Sequence, residues 1–391
     1  MDSNRVDLAV DNYRYLFLIG TRHTGREEDI LFPEWTDAEA DAKLDEALAA
    51  FFPDPPSQVG CWSRIPSKPA DLELRLLARG FTLGWRPHWM GKALAAGSLL
   101  PGDVSILADN VSDLRDLRDL PYSKADAVMT YAENPIPGVL MQRFVARMEG
   151  AVVGQTMVLC TPGVAGIYNV GVLPSFRRKG IGKAMVEVAC AYAFERGWSY
   201  VVLNATVMGQ PLYRKCGFID LEEGMTWWLN TAGYPPAPEL VRLALAIGRG
   251  GPFHPVSLVD VLPCGMTPME LAVHCHQIDS VHWLRSCGVA LRALDAWDLG
   301  WKDEARRLAV ESPNERYTRQ GLSLLHFSVI RDDEDLARMA LAAGTDVNMP
   351  DLEYDGHALG WAWHFGRENL KRLFTENSSG KDAQRNPGPP G

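Results

Sequence analysis

The sequence predicts a multidomain protein with an α/β domain in its middle third, flanked by two further blocks and a tail. Its 391 residues exceed the roughly 100 to 200 of an ordinary domain, so two or three separate cores are expected. Gly and Pro gather at 96–102 (AGSLLPG) and at 248–255 (GRGGPFHP), between patterned segments. Between those breaks strand-like runs alternate with helical ones, the mark of an α/β domain.

In block one, residues 8–95, apolar positions at three-to-four spacing predict helices over 38–51 and 69–79. Gly80 caps the second, and Phe81 opens an extended run. Block two, residues 103–232, reads as a strand over 104–107, a helix over 111–120, and strands over 141–148 and 152–160 joined at Glu149-Gly150. A third strand over 167–173 leads to a helix that starts beyond Gly182 and ends near Arg196. A buried strand over 200–204 and a short helix over 211–216, stopped by Gly217, complete the block. Past Thr375 the chain turns rich in Ser, Gly and Pro, a tail expected to be disordered.

Hydrophobic residues make up 47% of the chain and charged ones 23%, as in soluble globular proteins. A net charge of -10 argues against general nucleic-acid binding, which depends on Lys and Arg neutralising phosphates. No apolar run reaches the length of about 18 residues that a membrane span needs, so no membrane association is expected. Seven cysteines without a C-x-x-C, and no apolar signal region after the first basic residue, lead to the expectation of a reduced, cytoplasmic protein. His274, Cys275 and His276, with Cys264 nearby, fit no zinc framework, so no metal is expected.

The string VGVLPSFRRKGIGKAM, Val170 to Met185, is the most informative. A strand ends at Leu173, Pro174 stops pairing, and a loop holding Arg177-x-x-Gly180-x-Gly182 runs into a helix. The two glycines let the backbone approach a ligand, and the helix's first unpaired N–H groups point at that loop. Such an end attracts anions. Arg177, Arg178, Lys179 and Lys183 add positive charge, so a pyrophosphate is a natural guest. Two other phosphate motifs fail on single letters. A P-loop needs Ser or Thr where Ala184 follows Gly182-Lys183, and the dinucleotide fingerprint needs glycine where Met185 stands.

Preceded by Val-x-Val-x-Pro and followed by Pro211-Leu212-Tyr213-x-x-x-Gly217-Phe218, the loop closely resembles that of the GCN5-related N-acetyltransferase (GNAT) superfamily. The resemblance implies the α/β GNAT fold, a mixed, mostly antiparallel sheet whose fourth and fifth strands splay around a pantetheine arm, with acetyl-CoA as cosubstrate. It implies that the backbone of Val170, Gly171 and Val172 bonds the pantetheine amides. Beyond Arg177, the N–H groups of Arg178, Lys179, Gly180, Ile181, Gly182 and Lys183 would cradle the pyrophosphate. Asn204 would face the cofactor arm, and Tyr213 would protonate the departing thiolate, a step that suits a phenol of pKa about 10. Some members use a Glu on the fourth strand to deprotonate the amine; Tyr168 stands there, and no carboxylate lies between Val164 and Arg177. The base stays open among water, Glu133, Glu222, Glu223 and an acceptor that is already neutral.

Residues 72–81 followed by Trp89-Met90 echo 212–218 followed by 225–228: a short helix, a Gly-Phe break and a closing strand. Residues 1–97 thus resemble a degenerate GNAT-like half without the glycine loop, with Leu74 or Arg75 where Tyr would be needed. It is expected to bind no CoA and to cover a sheet edge or wall the acceptor pocket, with Trp62, Trp85 and Trp89 as wall residues. Further on, GMTPMELA from Gly265 and GLSLLHFS from Gly321 resemble the ankyrin opening, and Gly356 begins a third unit at close to the ankyrin period of about 33. A shortened, irregular unit over 298–312 is expected between them. The resemblance implies an all-α ankyrin repeat array over 262–375, offering a surface to a protein partner.

The expected division is therefore 1–97, 103–232, 262–375 and a tail at 376–391. The expected function is transfer of an acetyl group from acetyl-CoA to a primary amine of a small molecule or peptide. The alternatives are an ankyrin adaptor with a non-catalytic acyl-CoA-sensing domain, and a protein acetyltransferase recruited by its repeats.

Overall fold

The computed structural model describes residues 3–25, 28–95, 104–114, 117, 119–120, 128, 131–132, 135–251, 259–318 and 320–377. Two compact units result, Met1–Pro236 and Ala237–Gly391.

A ten-stranded sheet organises the first unit. Its strands are β1 (Asp29–Leu31), β2 (Gln58–Arg64), β3 (Thr82–Leu83), β4 (His88–Ala93), β5 (Ser105–Ala108), β6 (Leu140–Met148), β7 (Ala151–Thr161), β8 (Val164–Val172), β9 (Tyr200–Ala205) and β10 (Ile219–Asn230). Their spatial order is β1-β2-β10-β4-β9-β8-β7-β6-β5, with β3 also on β10. The β1–β2 and β8–β9 pairs are parallel and the remaining pairs antiparallel, the mixed, mostly antiparallel sheet expected. From Val153 to Thr161 every residue of β7 is buried, as in a strand covered on both faces.

One face is covered by α4 (Ile181–Glu195), whose Val186, Ala189, Cys190 and Ala193 pack on Val158, Ile167, Val201 and Leu203. The other is covered by α1 (Ser3–Thr24), whose Val6, Ala9, Val10 and Tyr13 meet Met157, Leu159, Val164 and Tyr168. Asn12 ties α1 to the sheet: its amide donates to the Leu159 carbonyl (3.0 Å) and Thr161 Oγ1 (2.8 Å), and its Oδ1 accepts from the Tyr168 hydroxyl (2.6 Å). Gly166 makes that approach possible, since a Cβ there would stand 2.0 Å from Asn12 Oδ1. Helices α2 (Ala40–Phe51) and α3 (Leu72–Ala78) are joined by Arg75, which reaches Asp37, Asp41 and Asp71, and by Arg79, which reaches Asp41 and Asp45.

Several expectations are corrected. The break at 96–102 does not separate two bodies, because β4 lies between β9 and β10 and shares their hydrogen bonds; residues 96–103 themselves lie outside the described ones. Helix α1 was not foreseen, although its buried positions 6, 9, 10 and 13 carry the helical spacing. The helix expected over 111–120 does not form where that stretch is described. The Asp109 carboxylate instead accepts from the N–H groups of Val111 and Ser112 and turns the chain. Helix α4 starts at Ile181, one residue before Gly182.

The second unit begins at α6 (Pro238–Arg249), earlier than the expected 262. Its buried Leu243, Ala244 and Ile247 explain why, as does the Ser280 hydroxyl donating to the Ile247 carbonyl (2.6 Å). Four helix pairs follow: α7 (Pro268–His274) with α8 (Ile278–Ser286), α9 (Ala293–Asp298) with α10 (Lys302–Glu311), α11 (Leu324–Arg331) with α12 (Glu334–Ala342), and α13 (Ala358–His364) with α14 (Glu368–Asn377). The stretch 298–312 is thus no irregular unit, since α9 and α10 form a full pair. Thr267 and Glu270 close a capping box at α7, and Ser323 with His326 does so at α11. His326 Nδ1 accepts from the Ser323 N–H, so Nε2 carries the proton and donates to the Gly356 carbonyl of the next pair (2.9 Å). Residues 252–255 of the break expected at 248–255 and residues 378–391 of the tail expected at 376–391 lie outside the described residues, while Gly248 and Arg249 belong to α6 and Glu376 and Asn377 to α14.

Candidate active site

Strands β8 and β9 pair only where Ala165–Ile167 face Val201–Leu203. Beyond that point they part. β8 stays on β7 up to Gly154 opposite Val172, while β9 stays on β4, with Asn204 opposite Trp89 and Ala205 opposite His88. One edge of β8 from Tyr168 to Val172 therefore faces a gap in place of a strand. A register shift opposite Gln155 and Met157, with Asn169 at φ 54°, bends β8 where the parting starts.

The gap opens into a cavity of ≈ 690 Å³. Val170, Gly171 and Val172 line it from β8, Arg177, Arg178, Gly180, Ile181, Gly182 and Lys183 from the loop and first turn of α4, Asn204 from β9, and Tyr213 from α5 (Gln210–Lys215). Lys179 alone of the expected residues does not line it; its ammonium lies 5.0 Å from the Phe176 ring centroid. Arg178 at φ 61° and Gly180 at φ 82° turn the loop so that it enters the helix at Ile181. Successive N–H groups in such a turn form a concavity for anions. Arg177 Nε donates to the Val172 carbonyl (3.2 Å), tying the loop to the strand it leaves.

Asn204 is held by its Oδ1, which accepts the His88 N–H (3.0 Å), while its amide nitrogen is buried without a hydrogen-bond partner. A buried donor left over beside a cavity marks a place for a ligand acceptor. Tyr213 is 8% exposed, with its ring edge-on to Phe218 at 6.0 Å. Its helix ends with the Phe218 N–H on the Tyr213 carbonyl, as the Phe81 N–H ends α3 on Leu76. The echo between the two segments is thus also a likeness of helix ends.

Of the candidate bases, Glu222 is gripped by Arg64 through two bonds of 2.7 and 3.0 Å, and Glu223 faces His88 Nδ1 at 3.3 Å. Neither lines the cavity, and Glu133 lies outside the described residues. Among the described residues the cavity wall contains no Asp, Glu or His. Burial, with Tyr13 beside it, holds the Tyr168 phenol well above its ordinary pKa, so it stays protonated and donates to Asn12.

Residues 1–97 do supply wall, though not all those expected. Trp62 and Trp85 line the cavity, joined by Tyr13, Leu16 and Phe17 of the unforeseen α1. Trp89 is fully buried and lies outside the wall. The rings form a chain: Tyr168–Tyr13 at 5.3 Å, Tyr13–Trp62 at 5.5 Å, Phe17–Trp62 at 5.3 Å and Trp62–Trp85 at 5.8 Å. Their sequence signal is weak, because these residues reach the site only through sheet pairing and helix docking. Among the described residues no group of His, Cys, Asp and Glu is arranged to hold a metal, and no helix is long and apolar enough to cross a membrane.

Fold and cavity together define an α/β protein whose sheet opens onto an anion-attracting helix terminus. Residues 141–220 match the family model described as the acetyltransferase (GNAT) domain, and the chain contains such a domain. Glucosamine 6-phosphate N-acetyltransferase of Trypanosoma brucei brucei is 30% identical over 95 residues, which cover 22% of this chain and 65% of that relative. A solved GCN5-related N-acetyltransferase from Kribbella flavida is 21% identical at a TM-score of 0.39, covering 54% of this chain and 80% of its own. One from Sphaerobacter thermophilus is 21% identical at a TM-score of 0.37, covering 49% and 68% respectively.

Proposed function

We propose that the first unit is an N-acetyltransferase that moves an acetyl group from acetyl-CoA to a primary amine of a small molecule or peptide. The observation that carries this reading is the opened β8 edge, continuous with the glycine loop and the start of α4 in one cavity. The free edge of Val170–Val172 offers backbone groups to the pantetheine amides, as an added strand would. The loop from Arg178 to Lys183 receives the pyrophosphate, and the spare Asn204 amide suits a carbonyl of the arm. Acetyl-CoA supplies the acyl group as an activated thioester. Tyr213, across the opening, gives its proton to the leaving sulfur. Residues 1–97 serve as a degenerate half that walls the acceptor end.

Calorimetric titration of the full chain with acetyl-CoA and CoA tests this. Micromolar binding is expected, with Gly180→Val weakening it at least about tenfold through backbone strain at φ 82° and a bulkier cradle. Tyr213→Phe is expected to keep that affinity while lowering kcat about 10–100-fold. Absence of binding by the native chain would overturn the reading.

The second unit we read as an ankyrin-type array presenting a surface to a protein partner. Its support is the succession of four helix pairs, stitched between pairs by His326 to Gly356 and by Thr345 Oγ1 to the Pro313 carbonyl (2.8 Å). Copurification of one stable partner would favour a protein acetyltransferase recruited by its repeats.

A further inference from the structure

The cavity also bears on the acceptor, an inference that rests on the acetyl-CoA reading above. Its formal charges are Arg177, Arg178, Lys183 and Lys215, all positive and matched to the phosphates of a CoA. The region around Tyr168, where β8 leaves β9, is instead walled by rings of Tyr13, Phe17, Trp62 and Trp85. Among the described residues no Asp, Glu or His lines the cavity, and the Asp29 carboxyl, which lies against Trp62, is outside its wall.

An alkylamine poses two problems for such a chamber. With a pKa of about 10.4, only about one molecule in 2,500 is neutral at pH 7. Its ammonium form would need an anion to enter and a base to react, and the described residues of the wall provide neither. Contact with a ring face would hold the cation, which is the form that cannot attack. An amino group conjugated to an aromatic ring is different. Its lone pair is delocalised, so it is neutral at pH 7, and its flat body matches a wall of tilted and edge-on rings.

We propose that the acceptor is an arylamine, its ring seated among Phe17, Trp62 and Trp85. The nitrogen lone pair attacks the thioester carbonyl, the C–N bond forms and the C–S bond breaks. The leaving sulfur takes the Tyr213 proton, and the nitrogen's proton passes through water to restore the phenol. No separate base is required.

The test is thiol release by the full chain from acetyl-CoA with p-anisidine, benzylamine or spermidine, across about pH 6 to 9. Turnover of p-anisidine is expected to exceed that of benzylamine at least about tenfold at pH 7 and to stay flat with pH. Trp85 is 41% exposed, so Trp85→Ala is expected to fold; it should raise the KM for p-anisidine about fivefold or more while leaving the calorimetric Kd for acetyl-CoA unchanged. Acetyl-CoA binding with benzylamine or spermidine preferred, or with no arylamine turnover, would overturn the acceptor assignment alone. Failure to bind acetyl-CoA would overturn the reading beneath it as well.

Discussion

Asp29 shows how a single carboxyl answers to its place at the sheet edge. Burial raises its pKa from 3.8 to about 6, against an opposing effect of Trp62 and with help from Glu28. The folded chain therefore holds this proton more tightly than the unfolded chain does. The stability it lends is fully present below about pH 4 and is lost as the pH rises through about 6. Asp29→Asn should accordingly raise unfolding stability by about 2 kcal/mol at pH 8 and by little at pH 4, as read from urea midpoints at both pH values. At this scale the sequence was legible where chemistry is local. The glycine loop and Tyr213 stand in short strings whose letters state their own requirements. Asn204 is expected from the resemblance, and Trp62 and Trp85 from the expected pocket wall, but the part that Tyr13 and Phe17 take in that wall is not legible, because α1 brings its rings to Trp62 only when it crosses the sheet.

Between elements, the clearest device is the pair of arginines that hold α3 to α2. Arg75 is almost wholly buried yet reaches three carboxylates that touch solvent, so its stem packs while its head is paired. Removing it leaves Asp37, Asp41 and Asp71 to repel one another. Arg75→Ala is expected to cost about 2 kcal/mol, the loss growing as salt is lowered, in chemical denaturation. The same scale explains two errors of expectation. Positions 111–120 carry helical spacing, but the Asp109 side chain offers its backbone a competing turn, and local side-chain bonding of this kind overrides periodicity. The pair α9–α10 lacks the ankyrin letters because its N-cap is Arg292, which bonds Asp295 in the manner of the Thr267 box.

At the scale of the whole molecule, the division at Pro236 separates two modes of stabilisation. The first unit rests on one sheet with distant pairings, the second on neighbour-to-neighbour stacking. His326→Ala removes a buried bond from one pair to the next and should lower the stability of the second unit by about 2–3 kcal/mol. Calorimetric scanning is expected to show that transition moving while acetyl-CoA still protects the other. The composition at 96–102 marks where the chain bends, and says nothing of which strands later lie side by side.

The position of β10 has a consequence for how the chain is made. This strand pairs with β2, β3 and β4, with Thr82 and Trp228 bonded across 146 residues. Pairing over such separations is slow and leaves strand edges open to other chains. During synthesis β2 and β4 emerge early, and the strand that lies between them is among the last parts of the unit to appear. A nascent chain stalled before Ile219 would already carry its glycine loop, but not the strand that braces the aromatic end of the cavity.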